Sequence, residues 1–235
     1  MTDLVRTIAE NLAAVRGRIA EAARRAGRSN EEVRLVAVTK YVDLAAVRAV
    51  AEAGCRELGE SRPQQLVERA AALADADVAW HLVGPLQRNK VRKVLPSATM
   101  IQSIDSLRLA EAVNRVAGEL ELRVPVLLEI NLSGETAKHG LDAARTEPLL
   151  PMLAALAQIE IRGLMGMAGL ASGPEQVRAE FASLRQLRDR LRANCPEGIA
   201  FDELSMGMSG DFETAIEEGA TIVRVGSALF EGIEA

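Results

Sequence analysis

The chain has 235 residues, enough for one large hydrophobic core and short for two ordinary domains. Its 28 basic and 33 acidic side chains give a formal charge of -5, so nothing global draws it to nucleic acid, and 3% aromatic content leaves few platforms for stacking bases. Apolar residues make up 49% and charged residues 26%, the balance of a soluble globular protein, and no apolar run approaches the roughly 20 residues that span a bilayer.

The first ten residues, Met1 to Glu10, carry acids early and lack an apolar core followed by a cleavage site, so a cytoplasmic protein is expected. Cys55 and Cys195 lie far apart without CxxC or Cys/His spacing, which predicts ordinary thiols, no metal site and no disulfide framework.

Leu4, Ile8, Leu12, Val15 and Ile19 recur at helical spacing in a segment that Gly27 closes, predicting a leading helix within residues 1–27, packed outside the core. The run Arg34-Leu-Val-Ala-Val-Thr-Lys40 follows, without the polar alternation of a half-wet strand. It reads as a buried parallel strand with Lys40 at its carboxyl end.

Helices are then predicted over Asp43–Ala53, Pro63–Leu73, Pro85–Val94, Ser106–Glu119, Thr146–Ala157, Pro174–Ala193 and Phe212–Glu218. Between them fall strands at Glu57–Ser61, Val78–Gly84, Thr99–Ile104, Val124–Leu132, Glu160–Met167, Asp202–Met208 and Ile222–Gly226. About eight strand-then-helix units in a chain of this length predict a single α/β domain over residues 1–235, a closed (β/α)8 TIM barrel. An open doubly wound sheet is the alternative; if it bound a dinucleotide it would be expected to carry GxGxxG after the first strand, which is absent.

In a barrel the chemistry sits at strand carboxyl ends, and loops after strands seven and eight often bind phosphate. Lys40 falls at such an end, where an amine can attack a carbonyl to form a Schiff base; the plain alternative is a lysine leaving a strand for solvent. Strand seven runs into Ser205-Met-Gly-Met-Ser-Gly-Asp211 and strand eight into Arg224-Val-Gly-Ser-Ala228. Gly226, Ser227, Ser209 and Gly210 could offer amides and hydroxyls to an anion, or could be turn glycines and N-cap serines.

Arg224 interrupts the apolar Ile222–Val225 and needs a partner, either a carboxylate or a ligand. An amine, a phosphate cup and a buried cation together suit an aldehyde bearing a phosphate, namely pyridoxal 5'-phosphate, with Arg224 facing the pyridine nitrogen. His81 reads as a hydrogen-bonded core histidine, His139 as a rim-loop residue, and Arg88, Lys90, Arg92 and Lys93 as a solvated basic helix face. Met165, Met167, Met206 and Met208 read as barrel filling.

The runs Val38-Thr-Lys40, Trp80-His-Leu-Val-Gly-Pro-Leu-Gln-Arg-Asn-Lys90, Ile130–Gly140, Arg162-Gly-Leu-Met165, Leu204–Asp211 and Arg224–Phe230 resemble the YggS/PROSC family of pyridoxal phosphate homeostasis proteins, in order and over nearly the whole chain. The resemblance implies an alanine-racemase-like barrel with the cofactor bound to Lys40 as a Schiff base. It also implies phosphate contacts from Ser209, Gly226 and Ser227, and Arg224 near the ring nitrogen. Three positions depart from the family pattern. Ser61 stands where asparagine is usual, Ser227 replaces threonine but keeps the hydroxyl, and Met167-Ala-Gly169 lacks a common proline.

Two functions follow from these features: a carrier in intracellular pyridoxal phosphate homeostasis, and a pyridoxal phosphate-dependent amino-acid racemase. Two-base racemisation needs an acid/base group on each face of the substrate carbon, and Lys40 supplies one. In alanine racemases the other is a tyrosine from a second domain. No such domain is expected beyond Ala235, and the single tyrosine, Tyr41, adjoins the lysine. The expectation is a monomeric, non-catalytic binding protein that hands its cofactor to apoenzymes.

Overall fold

Parallel strands close into a barrel in the computed structural model, which describes residues 2–132, 139–169 and 172–233. In chain order they are β1 (Arg34–Val38), β2 (Glu57–Glu60), β3 (Ala79–Leu82), β4 (Met100–Ile104), β5 (Val124–Asn131), β6 (Leu141–Asp142), β7 (Ile159–Gly166), β8 (Glu203–Ser205) and β9 (Ile222–Val225). All but β6 join the ring: β1 pairs with β2 and β9, β4 pairs with β5, and β5 pairs with β7, so no barrel edge is left unpaired. The two-residue β6 adds to β5 at Ile130 and Asn131, an element the sequence pattern does not announce.

The helices are α1 (Asp3–Arg25), α2 (Leu44–Glu52), α3 (Pro63–Ala72), α4 (Val91–Val94), α5 (Leu107–Glu119), α6 (Ala143–Thr146), α7 (Leu150–Ala154), α8 (Pro174–Asn194) and α9 (Phe212–Glu217). The leading helix α1 starts where the Thr2 hydroxyl accepts the Val5 amide at 3.3 Å. It stops where Gly27, at φ 69°, turns the chain left-handed so that the Gly27 and Arg28 amides reach the Arg24 and Ala23 carbonyls. Val5, Ile8, Leu12, Val15 and Ile19 form its buried stripe, packed outside the barrel near α2 and α9. A fully buried Leu or Ile there stabilises the fold by about 1.5–3 kcal/mol.

Two predicted helices break. Pro85–Val94 is helical only as a 3-10 turn at Arg88–Lys90 and the single turn α4, because Gln87 is extended at φ -76°, ψ 140°. Thr146–Ala157 resolves into α6, a 3-10 turn at Glu147–Leu149, and α7, since Pro148 and Pro151 carry no amide for a continuous ladder. The two short helices sit on the outside and leave the barrel closed.

The barrel lumen is separate from the layer between strands and helices. Val36, Met100, Leu127, Met165 and Ile222 make their own buried cluster, distinct from the larger core that α1, α5 and α8 share with the strands' outer faces. Met165 and Met206 are fully buried, as expected of filling residues. Met167 is not: it lies just past β7 and is 44% exposed, because the chain has by then left the barrel wall. No helix among the described residues is long and apolar enough to cross a membrane.

Candidate functional site

Lys40 stands two residues beyond β1, half-buried in the turn that leads to α2. A buried clamp holds that turn. Arg69, from α3, donates to the Thr39 carbonyl at 2.7 Å and to the Val42 carbonyl, and pairs with Glu60 at the end of β2. The Thr39 hydroxyl donates to the same Glu60 carboxylate, and the Thr39 amide to Gly59 at 3.0 Å. Thr39 and Glu60 are both fully buried. The Lys40 amine itself has no hydrogen bond or ion pair among the described residues; its Nζ lies 4.9 Å from the Tyr41 ring centre.

The loops after β8 and β9 meet beside this turn, because β1 and β9 run in register with Ala37 opposite Val225. The Ser209 hydroxyl oxygen accepts the Gly226 amide at 3.1 Å and the Ala228 amide at 3.4 Å. With both amides arriving at its oxygen, the hydroxyl keeps its own hydrogen to donate. Gly226 lies so close to β1 that a Cβ would stand 3.2 Å from the Val38 carbonyl, a contact that favours glycine here. Ser227 is exposed at the start of a one-turn 3-10 helix, Ser227–Leu229. Asp211 folds the first loop by accepting the Met208 amide at 2.5 Å. An anion would therefore meet the Ser209 hydrogen and exposed Ser227, while the Gly226 amide is already spent on Ser209.

Arg224, opposite Val36 in the β1 register, is 4% exposed. Its Nη1 donates to the Ser205 hydroxyl at 2.6 Å and its Nη2 to the Gly166 carbonyl at 3.0 Å. Burial pulls the guanidinium down to about 10, against the pull of Glu129 and Asp211, so it is charged at neutral pH. No carboxylate pairs with it directly among the described residues. Burial likewise pushes Glu129 up, aided by Asp105 and opposed by Arg224 and His139. Asp211 is raised by burial against the Met208 amide and Arg224.

His81 is a core histidine, as the sequence suggested: Nδ1 lies 3.0 Å from Gln102 Nε2 and Nε2 lies 3.1 Å from Glu57. His139 is exposed on the carboxyl rim, 3.4 Å from Asp105. Lys138 lies outside the described residues. Ser61 packs its backbone under the β3 loop, where a Cβ on Gly84 would fall 2.2 Å from the Ser61 carbonyl oxygen. Of the basic stretch, Arg92 pairs with Glu119, and Arg88 lines an outer cleft of about 660 Å³ with Arg108 and Arg115. None of the candidate site residues lines that cleft.

Sequence reasoning missed Glu60, Arg69, Ser205, Gln102 and Glu129. The only available signal was polar residues inside strands that otherwise read as buried, such as Gln102 in Met100–Ile104 and Glu129 in Val124–Leu132. Among the described residues no group of three or more His, Cys, Asp or Glu side chains could hold a metal.

An amine just past the first barrel strand thus stands beside a hydroxyl-lined loop after the last, with a buried cation below. Residues 11–233 match the family described as alanine racemase, N-terminal domain. A pyridoxal phosphate homeostasis protein of Pseudomonas aeruginosa is 41% identical over 226 residues, covering 95% of each chain. Its counterpart from Aquifex aeolicus is 38% identical over 221 residues, covering 94% of this chain and 96% of its own. The structure of PipY from Synechococcus elongatus with PLP bound superposes with a TM-score of 0.85 at 39% identity, covering 95% of this chain and 99% of that one. The chain belongs to the pyridoxal phosphate homeostasis protein family, within the alanine racemase N-terminal domain family.

Proposed function

We propose that this protein binds pyridoxal 5'-phosphate at the barrel mouth, as a Schiff base on Lys40, and serves intracellular pyridoxal phosphate homeostasis from the cytoplasm without turning over amino acids. The observation that carries this reading is one juxtaposition. The β1–β9 register brings the Lys40 turn, the Ser209–Gly226 loop and Arg224 together. These groups fit the ligand's three functions: an amine with no ion-pair partner among the described residues for the aldehyde, a hydroxyl with a spare hydrogen for the phosphate, and a buried guanidinium for the ring nitrogen. The likeness to PipY, whose structure has PLP bound, points the same way. The phosphate lies against Ser209 and Ser227, with Gly226 allowing the backbone to come close.

The carrier reading, rather than a racemase, rests on the absence of a suitable second acid/base among the candidates. Both His81 nitrogens face protein partners, and Tyr41 is 75% exposed next to the lysine in sequence. General acid-base help is worth about 10² to 10⁴-fold, so without it only slow exchange driven by Lys40 remains. The recipients are apoenzymes that need the cofactor, and the protein acts as a monomeric single domain over residues 1–235. Borohydride reduction of the cofactor-loaded protein, followed by peptide mass spectrometry, should find the adduct on Lys40. An adduct confined to Lys90 or Lys138 would sink the assignment. In deuterated water with L-alanine or L-serine, sustained α-deuteration with inversion that is lost in Lys40→Ala would establish an enzyme instead.

A further inference from the structure

We propose that Ser205, Gln102 and His81 form a directional hydrogen-bond relay down the barrel lumen, with Glu57 facing its far end, that holds Arg224 in place for the cofactor ring, making them positioning residues. Their role toward the ring rests on the pyridoxal phosphate reading above. The relay itself is defined by the protein alone.

The direction of every bond follows from chemistry at the two ends. A guanidinium can only donate, so Ser205 must accept from Arg224 Nη1 at 2.6 Å. The Ser205 hydrogen then goes to Gln102 Oε1 at 2.7 Å, which fixes the amide with its nitrogen toward His81 Nδ1 at 3.0 Å. An accepting Nδ1 leaves the ring proton on Nε2, which faces Glu57 at 3.1 Å. Glu57 faces that nitrogen as a charge, its Oε2 accepting no hydrogen bond: burial pushes its carboxyl up, but His81 and Arg34 outweigh that and hold it below the usual range. Arg34 lies 3.6 Å from Glu57 and donates to Glu203 at 2.7 Å, so the relay ends in paired charges at the amino end of the barrel.

Three quantities that are free in isolation are thus each set by a neighbour: a hydroxyl rotor, an amide orientation and an imidazole tautomer. Ser205, Gln102 and His81 are each no more than 2% exposed, and they come from β8, β4 and β3, while the ends come from β9 and β2. The same lumen is filled elsewhere by Val36, Met100, Leu127, Met165 and Ile222, so apolar filling is available to this barrel. A buried polar chain that replaces it is tolerated because Ser205, Gln102 and His81 Nδ1 each have a hydrogen-bond partner, and such a chain confers orientation rather than net stability. The group it orients is Arg224, whose Nη1 and Nη2 are both held, leaving its remaining donors in one fixed plane.

The tautomer can be read without any cofactor. The chain has two histidines, and His139→Gln removes the signal of the exposed one, so ¹⁵N spectra of the imidazole in apo-protein report His81 alone. The expected ring is neutral with its hydrogen on Nε2; a hydrogen on Nδ1 would overturn the relay. Gln102→Glu, which replaces the donating amide by an acceptor of the same shape, should move the hydrogen to Nδ1.

The role toward the ring is read from pyridoxal phosphate titrations of Ser205→Thr and Ser205→Val, which share a shape and differ in the hydroxyl. The Val variant should bind at least about tenfold more weakly than the Thr variant and show a displaced absorption maximum, while still forming the Lys40 adduct. Equal affinities and spectra for this pair, with wild type binding well, would overturn the positioning role alone. Failure of wild type to bind pyridoxal phosphate would overturn the proposed function and that role with it, and the tautomer measurement would still decide the relay.

Discussion

Glu57 and Glu129 are both glutamates facing the lumen of one barrel, and their carboxyls are pushed in opposite directions. Glu57 begins β2 at the amino end, where His81 and Arg34 more than offset its burial. Glu129 lies near the end of β5, where burial and Asp105 together outweigh Arg224 and His139. The amino end carries opposed charges: Arg34 lies 3.6 Å from Glu57 and donates to Glu203, which also accepts from the Thr221 hydroxyl. The carboxyl end carries an amine, a hydroxyl hydrogen and guanidinium donors that have no partner among the described residues. Leaving such groups underpartnered costs stability unless a ligand or water supplies the missing interactions, which is the energetic side of the binding end proposed above.

The largest expected effect comes from removing the amine that distinguishes the open end. Lys40→Ala should abolish the reducible cofactor adduct entirely while the far-UV circular dichroism of the barrel stays unchanged, because the residue is outside β1 and half-buried. Loss of folded structure in the variant would mean that the lysine holds the turn, contrary to its lack of polar partners among the described residues.

The next effect tests whether the open end still contains closed charges. Arg69→Ala should lower stability by about 3 kcal/mol in urea unfolding, because it leaves the fully buried Glu60 carboxylate with the Thr39 hydroxyl alone. A loss below about 1 kcal/mol would place the pair with surface ion pairs and weaken the clamp on the Lys40 turn.

Pyridoxal compared with pyridoxal phosphate sharpens the picture of the cup. Charge-assisted hydrogen bonds are worth about 1.5–3 kcal/mol each, so the aldehyde lacking phosphate should bind more than about tenfold less tightly. Equal affinities by titration would remove the cup from the site.

The smallest effect addresses the two glutamates directly, through the pH dependence of stability. Glu57 is lowered in the folded state, so its contribution is complete above the ordinary value of 4.5 and is lost as pH falls through the lower folded value. The stability advantage of wild type over Glu57→Gln should therefore shrink below pH 4.5. Glu129 is raised, so its contribution is complete below 4.5 and is lost as pH rises through the folded value. Wild type should gain on Glu129→Gln as pH falls from neutral towards 4.5. Urea midpoints of both variants moving with pH in the same direction would erase the distinction between the two ends.

Much of this was legible in the sequence because it is encoded locally. Apolar runs such as Leu35–Val38 and Val126–Ile130 between turn signals mark strands, and the Gly27 stop acts on amides within a few residues. The counting of strands, and from it the barrel, followed from that local pattern. Lys40, Arg224 and the loops at Ser209 and Gly226 could be picked out because each breaks the local pattern, as a charge beside an apolar run or a glycine-serine loop after one.

What the tertiary structure alone decided is lateral. Ser205 meets Gln102 across 103 residues of sequence, and His81 meets Glu57 across a strand boundary, because side-by-side register chooses which inward residues share a layer. Periodicity reports which face of a strand is buried, but not which residue of another strand it will meet. The same limit explains the clamp of Arg69 on Thr39 and Val42, made by a helix reaching back over its own β-strand partner. It also explains Met167, which reads as core by composition and is exposed because the chain leaves the wall one residue earlier.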